Sequence, residues 1–331
     1  MKILLLCSSS GGHINPCVSF GRYLENKGVE VKYLGFKGQM EEKIIETERL
    51  ITINSPNSFK KTLRNPLKII SLIKEIKKYR KLEFDCIVGF GGFITLIGLF
   101  LKKKKPFFIH EQNYILGDSN KICRLFSKKI FYSFENKDKK GIVVGNPSSD
   151  NINKKAFNYK NRLNILFVFG SLGSSSLIEK LILCENELNN NHKYTLVTGS
   201  KLYNQYKNKF DKILVREYIS LKNELMNYDL VFSRGGATSL YEIISSNTYC
   251  VSVPSPYVKN NHQEKNVDYL VSKNLVNKLQ EKDFNINNIN KKIDTYYDFD
   301  YCLSRYQNMN SLSKTNASEK MYNEIIKYVK D

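Results

Sequence analysis

Four stretches of the 331-residue chain set polar side chains where a ligand can be bound and transformed. Ser8-Ser9-Ser10-Gly11-Gly12-His13 follows an apolar run and offers backbone N–H groups, small side chains and an imidazole at a tight turn, a setting in which a bulky or charged group can approach the backbone. It is not G-x-G-x-x-G, which argues against a nicotinamide dinucleotide. His110-Glu111-Gln112-Asn113 puts four hydrogen-bonding side chains in a row after Phe107 to Ile109; Glu111 is a candidate general base or a partner for a neighbouring lysine. From Asp229 to Glu242 the chain reads as a strand, a Gly235-Gly236 turn and a helix, whose first N–H groups and positive dipole suit a diphosphate. Glu242, about one turn in, can accept two hydrogen bonds from a ribose diol or serve the helix dipole. Gln263 and Asn266, at i and i+3, direct two amides the same way, as sugar hydroxyls require.

These residues need strands behind them. Lys2 to Cys7 and Leu163 to Phe169 are apolar runs entering Ser/Gly turns and then helical stretches, the opening of a doubly wound unit in each half. Further short apolar runs, at Val29 to Leu34, Cys86 to Val88, Phe107 to Ile109, Tyr194 to Val197, Leu230 to Phe232 and Tyr249 to Val253, alternate with helical segments and predict α/β architecture with parallel sheets. The polar, aliphatic-poor stretch Ser148 to Arg162 reads as the linker. Domains are therefore expected over 1–150 and 160–312, with a closing helix over 313–331 carrying Met321, Ile325 and Val329 on one face and packing back on the first domain. Gln280 to Asn310 is weakly patterned and reads as surface helix and loop; its Asp298-Phe299-Asp300 has a metal-binding spacing but no strand before it, and reads as solvated.

Composition bounds the partners. A chain with 41% apolar and 25% charged residues is ordinary globular material. Fifty-two Lys and Arg against thirty-two Asp and Glu give a formal charge of +20, which favours anionic partners without choosing among them. Only nine of the basic residues are Arg, and the richness in Asn, Lys and Ile matches the drift of an AT-rich genome. Seven scattered Cys with no C-x-x-C pair encode neither a zinc site nor a disulfide framework, which fits a reducing cytosol. Phe93 to Leu101 is about half the ~20 residues needed to span a bilayer.

Seven blocks in order carry a resemblance: S-G-G-H-I-N-P (Ser10 to Pro16), F-G-G-F (Phe90 to Phe93), H-E-Q-N-x-x-x-G (His110 to Gly117), G-N-P (Gly145 to Pro147), G-S-L-G (Gly170 to Gly173), S-R-G-G-A-T-S-L-Y-E (Ser233 to Glu242) and N-H-Q-E-K-N (Asn261 to Asn266). Together they resemble the MurG family, GT-B glycosyltransferases of family 28 that move N-acetylglucosamine from UDP-N-acetylglucosamine to undecaprenyl-linked lipid I, giving lipid II for peptidoglycan. The resemblance implies two Rossmann-like domains facing a central cleft, an inverting transfer to the C4 hydroxyl of the muramoyl residue, no cofactor and no metal.

Carried over residue by residue, it implies that Glu242 holds the UDP ribose and that Ile219 lies by the uracil. Ser171 and the turn Ala237, Thr238, Ser239, Leu240 and Tyr241 would bind the diphosphate, and Gln263 and Asn266 the sugar. Ser10, Gly11 and Gly12 with Asn113 would complete the site from the first domain. His13 is the first candidate for the base, with Glu111 second; an imidazole titrating near ~6.5 can accept a proton at neutral pH. The chain departs from the family in having Ser8 and Ser9 where two glycines are usual, Ser149 where an Arg usually contacts the diphosphate, and Ser174 where Ala is usual.

A lipid acceptor implies peripheral docking on the anionic cytoplasmic face of the cell membrane. Asn57 to Lys81 holds nine basic residues and one acid around Leu67, Ile70, Ile73 and Ile76, and Lys102 to Lys105 adds a second cluster; each lysine near anionic lipid contributes about 1 kcal/mol. The rival readings are a related enzyme acting on diacylglycerol or an exopolysaccharide lipid carrier, a UDP-sugar epimerase, and a nucleic-acid binder, for which no motif is present.

Overall fold

A computed structural model describes residues 1–7, 11–54, 71, 74–171 and 173–329. The chain forms two compact units, one of Met1–Asp150 with Asn316–Asp331 and one of Asn151–Thr315.

The first unit is built on a parallel sheet of seven strands: β1 (Lys2–Leu6), β2 (Glu30–Phe36), β3 (Leu50–Ile53), β4 (Cys86–Gly89), β5 (Phe107–Glu111), β6 (Lys129–Tyr132) and β7 (Gly141–Val143), in the order β3-β2-β1-β4-β5-β6-β7. Near-continuous apolar strands such as Ile3-Leu4-Leu5-Leu6 arise because both faces are covered. Ile3 and Leu5 face a cluster with Phe20 of α1 (Gly11–Asn26). Leu4 and Leu6 join Ile94 and Ile97 of α2 (Gly92–Leu101) on the other face. α3 (Asp118–Cys123) follows β5.

The second unit has six parallel strands, β8 (Asn164–Val168), β9 (Lys193–Val197), β10 (Ile213–Arg216), β11 (Leu230–Ser233), β12 (Tyr249–Ser252) and β13 (Asn277–Lys278), in the order β10-β9-β8-β11-β12-β13. Phe167 and Phe232 stack at 5.0 Å between its two central strands. Its helices include α4 (Ser175–Cys184), α5 (Ala237–Ser245), α6 (His262–Ser272), α7 (Ile286–Asp294) and α8 (Phe299–Leu312). The last helix, α9 (Ala317–Val329), belongs to the first unit. Met321 and Ile325 are buried against α1 and β1 residues, Tyr328 meets Phe108 edge-on at 5.7 Å, and both Asp150 carboxylate oxygens accept the helix's first N–H groups, from Ala317 at 2.6 Å and Ser318 at 2.8 Å.

Two local expectations fail. Gln280 to Asn310 is not surface material throughout: α7 and α8 bury Ile289, Ile293, Cys302 and Met309, because the apolar residues of each helix fall on one face despite the Asn- and Lys-rich composition. Within it Asp298 is the N-cap of α8, accepting the Tyr301 N–H at 3.0 Å. Ser148 and Ser149 are buried in the first unit and so are not linker.

Candidate functional site

In both sheets the strand order reverses beside the first strand of the unit, between β1 and β4 in one and between β8 and β11 in the other. Crevices outside the carboxyl ends of the strands at such switch points are where open α/β sheets bind ligands.

In the first unit, the turn after β4 meets the start of α1. Gly91 has φ 90°, and a methyl group there would lie 2.9 Å from His13 Cδ2, 3.0 Å from His13 Nε2 and 3.6 Å from Gln112 Oε1. Glycine is therefore what lets the half-buried His13 ring and the Gln112 carbonyl approach this turn. Beneath them His110 is fully buried, 3.0 Å from the Gly145 carbonyl through Nε2 and 3.2 Å from Gln112 Nε2 through Nδ1. A carbonyl only accepts, so Nε2 carries the proton and Nδ1 accepts from the Gln112 amide. Burial pushes His110 down to about 4, His13 adds to the fall and the Gly145 bond opposes it, so the ring is neutral at pH 7. Gln112 Nε2 also donates to the Phe90 carbonyl at 3.1 Å, while its Oε1 has no hydrogen-bond partner among the described residues.

Glu111 is tied down through both carboxylate oxygens. One of its oxygens accepts from the Asn113 N–H at 3.0 Å and Asn113 Nδ2 at 3.1 Å, the other from the Gly117 N–H at 2.8 Å and Asn120 Nδ2 at 2.9 Å. Burial raises its pKa and these four bonds oppose the rise. The carboxylate thus ties the loop over Asn113 to the start of α3. Gly11 and Gly12 open α1; Ser10, like Ser8 and Ser9, lies outside the described residues. Ser149 is fully buried, its Oγ without a hydrogen-bond partner among the described residues.

The second switch point is held by charge. Arg234, at the end of β11, donates to Glu281 Oε2 at 2.6 Å, Ser174 Oγ at 2.6 Å and the Val253 carbonyl at 3.2 Å, linking three strand ends. Ser176 Oγ donates to the other Glu281 oxygen at 2.6 Å. Burial alone would raise Glu281, but the Arg234 and Ser176 bonds outweigh it and hold the carboxyl below its ordinary value. Gln263 and Asn266, at the start of α6, clamp one residue: Gln263 Oε1 accepts the Gly235 N–H at 3.2 Å and the Ser255 N–H at 2.9 Å, while Asn266 Nδ2 donates to the Gly235 carbonyl at 3.1 Å. A Cβ at Gly235 would sit 2.7 Å from the Gln263 carbonyl oxygen, so α6 and this turn touch backbone to backbone.

Around that clamp the expected nucleotide residues separate. Ala237, Thr238 and Ser239 form the first turn of α5, and nothing lies within 4 Å of a Cβ built at Gly236, so space opens before the helix start. Leu240 is the exception: its side chain is fully buried and its N–H donates to the Gly236 carbonyl, leaving it nothing to offer a diphosphate. Tyr241 is buried and its hydroxyl accepts from the Lys314 N–H at 3.3 Å. Asn266 is also fully buried, which sets it to hold Gly235 rather than to meet a sugar. Glu242 and Ile219 are buried, and Ser171 is exposed in the turn after β8. Arg234 and Glu281 were not singled out from the sequence, and Gln112 only as one of four polar residues in a row. Arg234 stood inside a quoted motif, whereas Glu281 lies 47 residues away and carries no local signal. Among the described residues no group of three His, Cys, Asp or Glu is placed to hold a metal ion.

Residues 3–132 match the glycosyltransferase family 28 N-terminal domain and residues 164–325 its C-terminal domain. A UDP-N-acetylglucosamine–N-acetylmuramyl-(pentapeptide) pyrophosphoryl-undecaprenol N-acetylglucosamine transferase of Sulfurihydrogenibium sp. is 31% identical over 321 residues, covering 90% of each chain. The chain belongs to glycosyltransferase family 28. A protein of the same name from Vesicomyosocius okutanii is 30% identical over 296 residues and 86% of each chain. The crystal structure of MurG from Acinetobacter baumannii superposes with a TM-score of 0.79 over 99% of this chain and 100% of that one, at 20% identity. Two Rossmann-like domains of GT-B type are thus the fold of this family 28 glycosyltransferase, as the sequence blocks imply.

Proposed function

We propose that the protein transfers N-acetylglucosamine from UDP-N-acetylglucosamine to the C4 hydroxyl of the muramoyl residue of undecaprenyl-linked lipid I, giving lipid II. The observation that carries this reading is the 31% identity over 90% of both chains to a transferase of that name. In the reaction His13 takes the hydroxyl proton, the oxygen forms a bond to C1 of N-acetylglucosamine, and the C1–O bond to UDP breaks with inversion. His110 and Gln112 hold the turn against which His13 packs, and Glu111 fixes the loop that presents Asn113. The N–H groups of Ala237, Thr238 and Ser239 and the dipole of α5 take up the charge of the departing UDP. Glu242 binds the ribose, Ile219 borders the uracil and Gln263 reaches the sugar with its amide nitrogen.

A lipid acceptor calls for membrane docking. Among the described residues no helix is long and apolar enough to cross a membrane. Most of Asn57 to Lys81 lies outside the described residues, and Ile76 within it is a core residue rather than a lipid contact. A better surface is the end of α2 and the turn after α3, where Phe100, Leu125 and Phe126 are 56%, 69% and 53% exposed and Lys102 to Lys105 follow directly on α2. Exposed apolar side chains beside lysines fit insertion at an anionic interface. Sedimentation with anionic but not zwitterionic liposomes, lost in Leu125→Glu/Phe126→Glu, is the expected result.

The test of the reaction is mass-spectrometric detection of product from UDP-N-acetylglucosamine and a lipid I analogue in detergent with EDTA. A product heavier by one N-acetylhexosamine supports donor and acceptor together. Bound UDP without product from lipid I would favour the second reading, another lipid acceptor, for which the buried Ser149 in place of the usual Arg is the supporting observation.

A further inference from the structure

The amide of Gln112 cannot turn over. Its nitrogen donates one proton to the Phe90 carbonyl at 3.1 Å and the other to His110 Nδ1 at 3.2 Å. A carbonyl accepts only, so the end of the amide facing Phe90 is the nitrogen. The partner ring is set in the same way, because the Gly145 carbonyl, 3.0 Å from His110 Nε2, takes the proton of that nitrogen and leaves Nδ1 an acceptor. Burial pushes His110 down to about 4, so the ring stays neutral and this arrangement holds at pH 7. Two backbone carbonyls thereby fix which way Gln112 points its oxygen.

That oxygen is buried and has no hydrogen-bond partner among the described residues. A buried acceptor left without a donor is costly. A methyl group on Gly91 would lie 3.6 Å from Gln112 Oε1, 3.0 Å from His13 Nε2 and 2.9 Å from His13 Cδ2, so the oxygen and the ring flank one point of the turn. His13 therefore presents its Nε2–Cδ2 edge to Gly91, and the ring atom opposite that edge is Nδ1. We propose that Gln112 is a positioning residue for the transfer: its Oε1 accepts the Nε2 proton of His13, which leaves Nδ1 as the nitrogen that takes the proton of the acceptor hydroxyl. Catalytic hydrogen bonds tighten as substrate closes on them, and the missing side chain of Gly91 lets the ring and the amide meet across the turn. When Nδ1 is protonated the ring keeps its Nε2 proton on Gln112, and the line from His13 through Gln112 and His110 to the Gly145 carbonyl carries no carboxylate. The role in transfer rests on His13 being the base; the tautomer does not.

The full chain labelled with ¹⁵N in its four histidine rings reports the tautomer through the shifts of the two ring nitrogens, with His13→Gln identifying the His13 signals. A single neutral tautomer is expected, its proton on Nε2 and protected from exchange with water. Gln112→Met should lose that protection and average the two tautomers, and should lower kcat roughly 10-fold with UDP affinity unchanged. A His13 proton on Nδ1, an Nε2 proton equally protected in Gln112→Met, or an unchanged kcat in that variant would each overturn the proposal. The first decides the matter even if Gln112→Met does not fold. The spectra need no turnover, so a chain that makes no lipid II would lose the reaction assigned to it while the His13 tautomer still reports on Gln112.

Discussion

The two switch points share a topology and are built from opposite materials. At β1/β4 the groups that set the geometry are neutral: a buried imidazole, a glutamine amide and backbone carbonyls around Gly91. At β8/β11 the same place in the sheet is pinned by a buried ion pair, Arg234–Glu281, with Ser176 donating to the second carboxylate oxygen and Ser174 accepting from the guanidinium. The difference follows the task each turn is proposed to have. A turn that handles a proton beside His13 is disturbed by a fixed charge, whereas a turn that receives a diphosphate tolerates a cation behind it.

The largest effect expected is at the neutral turn: His13→Ala should lower kcat by ~10²–10⁴-fold with UDP affinity retained, and wild-type turnover would remove the base assignment. At the charged turn, Arg234→Met leaves Glu281 buried without its partner and should cost about 3–5 kcal/mol of stability. The double variant Arg234→Met/Glu281→Gln should regain part of that loss in chemical denaturation; a double variant no better than the single would mean that Glu281 is not the group left stranded.

Acid acts more gently. His110 binds its proton at about 4 when folded and near ~6.5 when unfolded, so the unfolded chain holds more protons in between. Stability of the first unit should therefore fall as pH drops from about 6.5 to 4, by about 3 kcal/mol. Glu281 is depressed, so its contribution is present above its ordinary value of 4.5 and is lost only as pH falls below it. His192 of the second unit is also lowered by burial, so hydrogen exchange resolved by segment should show both units loosening below neutral pH, and His110→Gln should flatten only the response of the first. The smallest effect is Gly91→Ala, expected at ~1–3 kcal/mol from a residue forced to φ 90°; a fall in kcat exceeding the loss of stability would tie the turn to His13.

Eight strands, the helix starts and the packed face of α9 were legible because each is written locally, in apolar runs that end at Gly or Ser and in a 3.6-residue period, whereas β3, β6, β7, β10 and β13, towards the sheet edges, were not read. Gly235–Gly236 and the first turn of α5 were legible for the same reason. What was not legible depends on partners distant in the chain. Asn266 reads as a sugar contact until the Gly235 carbonyl, 31 residues away, is found beneath it, and even the nearer Gly117 and Asn120 on the Glu111 oxygens are not visible in a sequence that leaves Glu111 a base or a lysine partner. Composition misled at Gln280 to Asn310, where Asn and Lys hide two helices whose Ile and Met side chains enter the core.

The capping of α9 by Asp150 has a consequence for biosynthesis. The first unit is interrupted in the chain, and the helix that closes its core leaves the ribosome only after all of Asn151–Thr315 has been made. At ~5–20 residues per second that delay is of the order of ten seconds or more. During it β1, α1 and Phe108 wait with an apolar face uncovered, while the second unit, continuous in sequence, is free to complete itself first. The earliest-synthesised half of this enzyme is thus the later to mature, and the surface Met321 and Ile325 will occupy is the place where a chaperone would find the nascent chain.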